Sequence, residues 1–504
     1  MRHVGIPRPV IVASCCLAFL FAVSGTADAQ IGFGGGIFGA GGFGGGQFGG
    51  QFGQGGQFGG QFGQGGLGGQ IGGQLGQAGA AGGIMIDAKG IVSPVFSKLR
   101  SDKLQRLRVE ARARKSLAAD LNASSKLRKV SLVQLEKACE EYAKTKKHVP
   151  LDIQYLAGLQ RIDYVFVYPE AGDIVIAGPA EGFAPDDTGR VVGVSTGKPP
   201  LRVDDLVLAL RAMRGRGEIG CSIDPIAENL KALTQYLRRN STPASRAVAK
   251  SRYGVMARIL GMQNIRVWGV PAESHFGQML VEADYRMKRI SMGVDRAGVR
   301  GFRTHLSMLR PKGNSMQRWW FTPLYDAFLT TKDGNAFQLA GPRAQLLSQE
   351  ELPTPGGGRV DAAVTRLSTQ AYAKHFTMKF PQLAEKIPAF AELRNLFDLS
   401  IVAALLKTKG LSRKAGWKMS LFLDERRATI VKGHAPKQVH SIFNTRSAGR
   451  RVVLGLIGGG VVIKPIQTAE SIEFKTVTRG ELIEHRAAVA EKKTRPKAHP
   501  WWWD

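Results

Sequence analysis

The alternation of apolar and polar residues begins to predict ordered structure near residue 84. Apolar residues 84–86 and 91–92 flank a polar turn, which predicts a small hairpin. The β-branched and aromatic run 162–168 and the run 174–177, separated by another polar turn, predict a second hairpin. Both patterns favour antiparallel strands.

Helical periodicity, with apolar residues three and four positions apart, recurs along the rest of the body. Ser131 and Gln134 have the spacing of a capping box, which predicts a helix that begins at Ser131. Asp224-Pro225 predicts another helix start. That helix runs to Arg239, and further helices are predicted over 203–213, 246–260 and 272–288, and through Lys409, where Gly410 ends the last one.

Apolar and aromatic runs also predict strands over 190–194, 265–268, 319–322, 325–330, 336–339, 418–422, 428–432 and 452–463. Residues 455–460 read GLIGGG, which is typical of a hairpin turn. Helices and hairpins are interspersed without regular βαβ alternation. The sequence therefore predicts an α+β protein with two to three subdomains of mixed helices and antiparallel hairpins.

Composition predicts where these units begin and end. The predicted units are a signal peptide (1–29), a disordered Gly/Gln/Phe-rich tract (30–83), an α+β domain (84–240), a second α+β domain (246–351), a linker (352–362), an α+β C-terminal region (363–484) and a basic, Trp-terminated tail (485–504). The linker contains the sequence LPTPGGG at 352–358.

The first 29 residues have the order of a secretory signal. Arg2 and Arg8 precede an apolar run at 10–23, and Ala27-Asp28-Ala29 offers a small-x-small cleavage site. The apolar run is shorter than the roughly 20 residues that span a bilayer. The mature protein is therefore predicted to be exported, and to be periplasmic, envelope-associated or extracellular.

The following tract carries no charged residue between 31 and 86 and repeats the unit QFGGQFGQGG at 47–56 and 57–66. So many glycines cannot bury enough apolar surface to fold, so a flexible coil is predicted. The tract can act as a spacer, or its regularly spaced phenylalanines can act as weak contacts for self-association.

The chain carries a net charge of +30, of which the leader contributes +1 and residues 87–504 the remaining +29. This balance favours anionic partners, either an envelope polymer or a membrane surface, whereas export argues against genomic nucleic acid. The densest patch is 98–129. A helix there would place Leu104, Leu107 and Ala111 on one face, with the cations forming either a solvated face or an anion site.

Cys139 and Cys221 remain after removal of the leader. They can form a disulfide in an oxidising compartment or stay as two unpaired thiols. Two cysteines cannot complete a structural zinc site, and neither a CxxC nor an HxxxH spacing accompanies them. No metal or cofactor is predicted.

The predicted helix 272–288 carries candidate polar chemistry. His275 and Glu282 are seven residues apart and share one face, where they can form a metal or acid/base pair or stay solvated. Asp284 lies nearer the apolar edge and can form a partly buried salt bridge with Lys288.

Two aromatic groups are also candidates. Trp319, Trp320, Tyr325 and Asp326 can stack on sugar rings, or strand alternation can bury one tryptophan and expose the other. At the C-terminus the basic residues precede three tryptophans, which suits a membrane interface or a partner groove. These interfacial candidates are Lys492, Lys493, Arg495, Lys497, Trp501, Trp502 and Trp503.

Four strings carry a family resemblance. They are YVFVYPEAGDIVIAGPAEGF (164–183), IGCSIDP (219–225), HFGQMLVEADYRMKRI (275–290) and RWWFTPLYD (318–326). Together they resemble a family of large secreted planctomycete proteins classed as a domain of unknown function, over roughly residues 84–409. The resemblance implies an exported, lineage-restricted and biochemically unassigned protein, and it supplies no catalytic residues.

The leading hypothesis is an exported, non-enzymatic structural or binding protein of the cell envelope or extracellular space, which uses a basic surface to bind anionic envelope material. Residues 193–197 read GVSTG and have the GxSxG spacing, but KPP follows them where a serine elbow would begin a helix, and no HExxH motif occurs, so the usual sequence signs of an enzyme are missing. The alternative is a secreted hydrolase of envelope or polymeric carbohydrate. Its acidic residues, beside Trp319 or Trp320, would be Glu181, Asp224, Glu282, Asp284 and Asp326.

Overall fold

The computed structural model describes residues 80–81, 83–96, 102–145, 148–215, 217–242, 244–309, 316–353, 359–361, 363, 365–448, 451–490 and 500–504. These residues form the α+β fold that the sequence predicts. The predicted signal peptide, nearly all of the glycine-rich tract, and Lys492, Lys493, Arg495 and Lys497 of the tail lie outside the described part. None of the described helices combines the length and apolar character needed to cross a bilayer.

The helices are α1 (Asp102–Ser116), α2 (Ala119–Asn122), α3 (Leu132–Thr145), α4 (Leu151–Gln154), α5 (Val203–Ala212), α6 (Ala227–Arg239), α7 (Arg246–Leu260), α8 (His275–Ser291), α9 (His305–Met308), α10 (Leu367–Lys386), α11 (Pro388–Thr408), α12 (Leu411–Lys414), α13 (Pro465–Ser471) and α14 (Glu481–Ala490). The strands are β1 (Ala80–Ala81), β2 (Ile84–Ile86), β3 (Ile91–Pro94), β4 (Ser125–Ser131), β5 (Tyr164–Tyr168), β6 (Asp173–Ala180), β7 (Phe183–Pro185), β8 (Val191–Gly193), β9 (Ile219–Pro225), β10 (Met262–Trp268), β11 (Met316–Leu324), β12 (Phe328–Thr331), β13 (Ala336–Gln338), β14 (Arg343–Pro353), β15 (Arg359–Asp361), β16 (Gln438–His440), β17 (Phe443–Ala448), β18 (Arg451–Ile463), β19 (Phe474–Val477) and β20 (Trp502–Trp503).

The largest sheet has the order β1-β2-β3-β16-β10-β9-β18-β11-β14-β15, with β17 also paired to β18. A second sheet has the order β19-β12-β13-β5-β6-β4-β20, and β7 pairs with β8. Strands from all three predicted α+β segments therefore share sheets and one main core. The breaks near 240 and 352 do not separate independent cores. The predicted linker itself contains strand β15, which pairs with β14.

Several local predictions are confirmed. The hairpins β2–β3 and β5–β6 are antiparallel. The Ser131 hydroxyl caps α3 by accepting a hydrogen bond from the Gln134 amide at 3.1 Å. Gly410 follows α11 with φ of 63°, a left-handed conformation that suits glycine after a helix end.

Other local predictions are wrong. Residues 455–460 continue strand β18 instead of turning. The glycines allow close pairing with β11, because a side chain at Gly459 would collide with the backbone of Trp319 on that strand. Residues 418–422 and 428–432 are loops. The buried Glu136 carboxylate accepts hydrogen bonds from the Leu421 and Phe422 amides at 2.7 and 3.0 Å, which replace strand pairing. Helix α6 begins at Ala227, because Asp224 and Pro225 end β9.

Two helices lie at the centre of the main core. In α11 every residue from Ala389 to Leu406 is buried, and in α8 all but three of the seventeen residues are buried. The Ser274 hydroxyl caps α8 by accepting a hydrogen bond from the Gly277 amide at 3.1 Å. Burial on all sides means that the charged residues of α8 and α11 need partners inside the protein.

The C-terminal segment completes the second sheet. Trp502 and Trp503 pair with Val130 and Lys129 of β4. The side chains of Trp501, Trp502 and Trp503 are 4%, 3% and 1% exposed. The prediction that these tryptophans lie at an exposed interface is therefore wrong, because they fill the edge of the second sheet.

Candidate functional site

A cleft of about 400 Å³ opens between α1, the chain around β8, and the junction of α10 with α11. Its lining is rich in charge, with five cationic side chains and three carboxylates. The cations are Arg106, Arg190, Lys198, Arg286 and Lys386, and the carboxylates are Asp186, Glu282 and Glu385. Such a lining favours a polar, charged ligand over an apolar one.

The floor of the cleft is a buried ion triad. The Arg190 guanidinium donates to both oxygens of Glu282, at 2.5 and 2.6 Å, and also pairs with Glu392 of α11. All three side chains are at most 8% exposed. One guanidinium therefore binds carboxylates from both central helices, which ties α8 to α11 beneath the cleft.

His275 lies behind this triad. Its Nδ1 is 2.8 Å from Asp205 of α5, and its Nε2 is 3.5 Å from Glu392. Burial lowers the pKa of His275, although the Asp205 carboxylate opposes that shift. His275 and Glu282 belong to one buried network, but each binds other partners and they do not form the predicted pair. Among the described residues, no group of three or more potential ligands is arranged to hold a metal ion.

The rim of the cleft carries the cations that a ligand can reach. Arg106 and Lys386 are exposed. Lys198 Nζ lies 2.5 Å from the Glu385 carboxylate, whose side chain is 44% exposed. Arg286 pairs with Asp295 at 2.8 Å. Lys198 can therefore exchange its intramolecular carboxylate for one supplied by a ligand.

Helix α11 begins at this rim. Pro388 and Ala389 line the cleft, and Ile387 at the helix N-cap offers no side-chain hydrogen bond. The first amides of a helix carry a partial positive charge that favours anions. The C-terminal end of α10, with the opposite partial charge, lies at the same junction, so the positive potential of the rim comes from its side chains.

Glu181 holds the loop that presents Lys198. Its carboxylate accepts hydrogen bonds from the Ser195 and Thr196 amides at 2.9 and 3.0 Å, and from Gln160 Nε2 at 2.6 Å. Glu181 is only 3% exposed. It therefore shapes the cleft wall without facing a ligand.

The five acids of the predicted hydrolase do not share one groove. Glu181 and Glu282 are buried with the partners above, and Asp284 binds Lys288 at 2.8 Å inside the core. Burial raises the pKa of Asp284, although Lys288 opposes that shift. Asp224 lies at the end of β9, and Asp326 lines a different cavity. The arrangement gives the hydrolase alternative no support.

The aromatic candidates separate by strand alternation. Trp319 is fully buried against His305 and Tyr372, whereas Trp320 is half-buried and lines a second cavity with Tyr325 and Asp326. The Tyr325 hydroxyl donates to the buried Asp398 carboxylate at 2.9 Å. Trp319 therefore belongs to the core.

The cysteines form no disulfide. Both Cys139 and Cys221 are free thiols. Cys139 lies on α3, Cys221 on β9 in the large sheet, and burial is the main cause that raises the pKa of each thiol. The predicted pairing is not formed in this structure.

Sequence reasoning missed the residues that build the cleft: Arg106, Arg190, Lys198, Asp205, Glu385, Lys386 and Glu392. One available signal was Glu392, which interrupts the otherwise apolar start of α11. A charge at a position buried on all sides requires a partner of opposite charge. Arg190 gave no such signal, because it directly precedes the short strand β8, where the sequence alone does not distinguish a buried arginine from an exposed one.

A family model described as a protein of unknown function (DUF1598) matches residues 221–304. This segment runs from β9 through α8 and contributes His275 and Glu282 to the network beneath the cleft. It also contains one of the four strings that carried the resemblance and most of another. No curated protein and no solved structure matches the chain.

The buried His305 leads to a pH prediction. His305 is fully buried against Trp319, neither ring nitrogen has a hydrogen-bond partner in the described part of the chain, and burial lowers its pKa to about 3. The unfolded chain takes up a proton near the ordinary histidine pKa of about 6.5, so acid favours unfolding. Between pH 7 and pH 5 we expect His305 to cost about 2 kcal/mol of stability.

Chemical denaturation at the two pH values measures this loss. His305→Phe should flatten the pH dependence by about that amount, whereas His440→Phe at an exposed position should leave it unchanged. Equal slopes for the wild type and His305→Phe would contradict the assignment.

Proposed function

We propose that this chain is an exported, non-enzymatic binding protein of the cell envelope or extracellular space, and that its cleft holds an anionic group of an envelope polymer. The observation that carries the proposal is the cleft lining, in which accessible cations of three separate segments converge on the start of α11. The buried triad below adds no attraction for an anion, because Arg190 already binds two carboxylates, so the proposal rests on the rim cations.

Charge on the whole molecule supports the same partner. A net charge of +30 attracts acidic polymers over distances of about a Debye length, roughly 8 to 10 Å at ordinary salt. The leader and the resemblance to large secreted planctomycete proteins support export. Acidic polysaccharide fits better than a small neutral sugar, because the described cleft offers charge where a sugar-binding site would offer aromatic faces.

The first test is titration of the purified chain with an oligogalacturonate, whose repeated carboxylates act as the probe. We expect binding that weakens steeply as salt rises. Binding that is absent at every salt concentration would overturn the proposed function. Turnover of the oligosaccharide would overturn its non-enzymatic part.

A pair of double variants tests the location of the site. Arg106→Ser with Lys386→Ser should weaken oligogalacturonate binding about tenfold, because each exposed ion pair contributes up to about 1 kcal/mol. Lys231→Ser with Lys250→Ser removes the same charge from exposed positions on α6 and α7 and should change binding less than about threefold. Equal losses in both double variants would show that only the net charge matters.

A further inference from the structure

Helix α1 has apolar residues on two opposite faces. Val109 and Ala113 are 2% and 0% exposed and pack against Ala184 and Val192 of the β7–β8 pair. Leu104 and Leu107, by contrast, are 54% and 51% exposed. The sequence pattern placed these two leucines on one shared face, and the structure shows that this face lies on the solvent side.

The outward face of α1 is also basic. The helix carries six Lys or Arg residues against Asp102 and Glu110. Arg114 pairs with Glu110 at 2.5 Å, and Arg112 donates to the Pro185 carbonyl at 2.6 Å. Three exposed cations lie on the leucine side of the helix, namely Lys103, Arg108 and Lys115, whereas Arg106 faces the cleft.

This surface is distinct from the exposed Phe96, which lines the cleft beside Gln105 and Arg106 of α1. We define the α1 outer face as Leu104, Leu107, Lys103, Arg108 and Lys115. Exposed apolar side chains spaced one helical turn apart and surrounded by cations have the composition of helices that lie in the headgroup region of a bilayer.

We propose that the α1 outer face docks on an anionic phospholipid surface, with Leu104 and Leu107 inserted among the headgroups and the surrounding cations paired with lipid phosphates. Charge complementarity selects this occupant, because an apolar protein partner would leave the three cations unpaired at the interface. An anionic lipid surface offers both a phosphate layer and an apolar layer at the right depth. The α1 outer face is distinct from the cleft, because none of its residues lines the cleft, whereas Gln105, Arg106 and Val109 of the same helix do.

The test is co-sedimentation of the purified chain with vesicles of mixed phosphatidylglycerol and phosphatidylcholine, compared with phosphatidylcholine alone. We expect binding to the anionic vesicles only. Leu104→Ser with Leu107→Ser should reduce that binding about tenfold or more while leaving thermal unfolding unchanged, because both side chains are already half exposed.

A matched control comes from α10, where Leu367 and Met378 are 82% and 62% exposed. Leu367→Ser with Met378→Ser removes a similar exposed apolar area and should keep vesicle binding within about twofold. The docking proposal is overturned if the wild type binds neither vesicle, if it binds both equally, or if the α1 variant binds as the wild type does. Oligogalacturonate binding by the α1 leucine variant should be normal, which separates failure of this proposal from failure of the cleft.

Discussion

Removal of residues 500–504 is expected to abolish the stable fold. The three tryptophans of this segment are at most 4% exposed, and truncation of one buried tryptophan to alanine costs about 3 to 5 kcal/mol. Loss of all three would approach or exceed the whole stability of a typical domain, about 5 to 15 kcal/mol. We expect the truncated chain to be insoluble, or to show no cooperative thermal transition by circular dichroism.

The same deletion also leaves a buried charge without its partner. Arg128 is 0% exposed and donates to both oxygens of the Asp504 carboxylate, at 2.7 and 2.8 Å. Its guanidinium also lies 4.7 Å from the centre of the Trp502 ring. Burial raises the pKa of Asp504, but the hydrogen bonds and charge of Arg128 outweigh it and hold the pKa below its ordinary value.

Single substitutions provide the control for the deletion. Trp503→Ala should lower the free energy of unfolding by about 3 to 5 kcal/mol, whereas Trp320→Ala at a half-buried position should cost clearly less. Asp504→Asn keeps the tryptophans in place and should cost less than Trp503→Ala. A truncated chain that melts at the wild-type temperature would contradict the structural role of the C-terminal strand.

Substitution of Arg190 by leucine is the second large expected loss. It leaves Glu282 and Glu392 buried, adjacent and without their cation, and removal of one partner from a buried ion pair costs about 3 to 5 kcal/mol. Urea denaturation at neutral pH should therefore show a midpoint far below that of the wild type.

A compensated variant distinguishes charge from packing. Arg190→Leu combined with Glu282→Gln and Glu392→Gln removes all three charges, and we expect it to regain more than half of the lost stability. Arg266→Leu, at an exposed position on β10, is the matched single substitution and should change stability little. A triple variant as unstable as Arg190→Leu would show that the shape of the arginine side chain, not its charge, stabilises the floor of the cleft.

The sequence predicted elements whose cause is local. The β5–β6 hairpin follows from alternation around a turn, and the cap of α3 follows from the spacing of Ser131 and Gln134. The features that it missed depend on residues far apart in the chain. The tryptophans pair with β4, more than 370 residues earlier, and Arg190 meets Glu392 across some 200 residues.

The two faces of α1 illustrate a further limit. Helical spacing places Leu104 with Leu107 and Val109 with Ala113, so periodicity alone offers two apolar faces of similar quality. The small side chains of the second face allow α1 to approach β7 and β8 closely, which decides between them in the folded protein. The buried face is the one that packs against β7 and β8, and helical periodicity carries no information about which strands lie beside α1.

Substitution of Glu385 tests whether the cleft rim binds an anion. The Glu385 carboxylate lies 2.5 Å from Lys198 Nζ, so an anionic ligand that binds Lys198 must displace Glu385. Glu385→Gln should therefore bind oligogalacturonate several times more tightly than the wild type at the same salt concentration. Glu228→Gln, an equal charge change at an exposed position on α6, should alter affinity much less. Unchanged or weaker binding by Glu385→Gln would contradict the assignment of this cleft as the anion site.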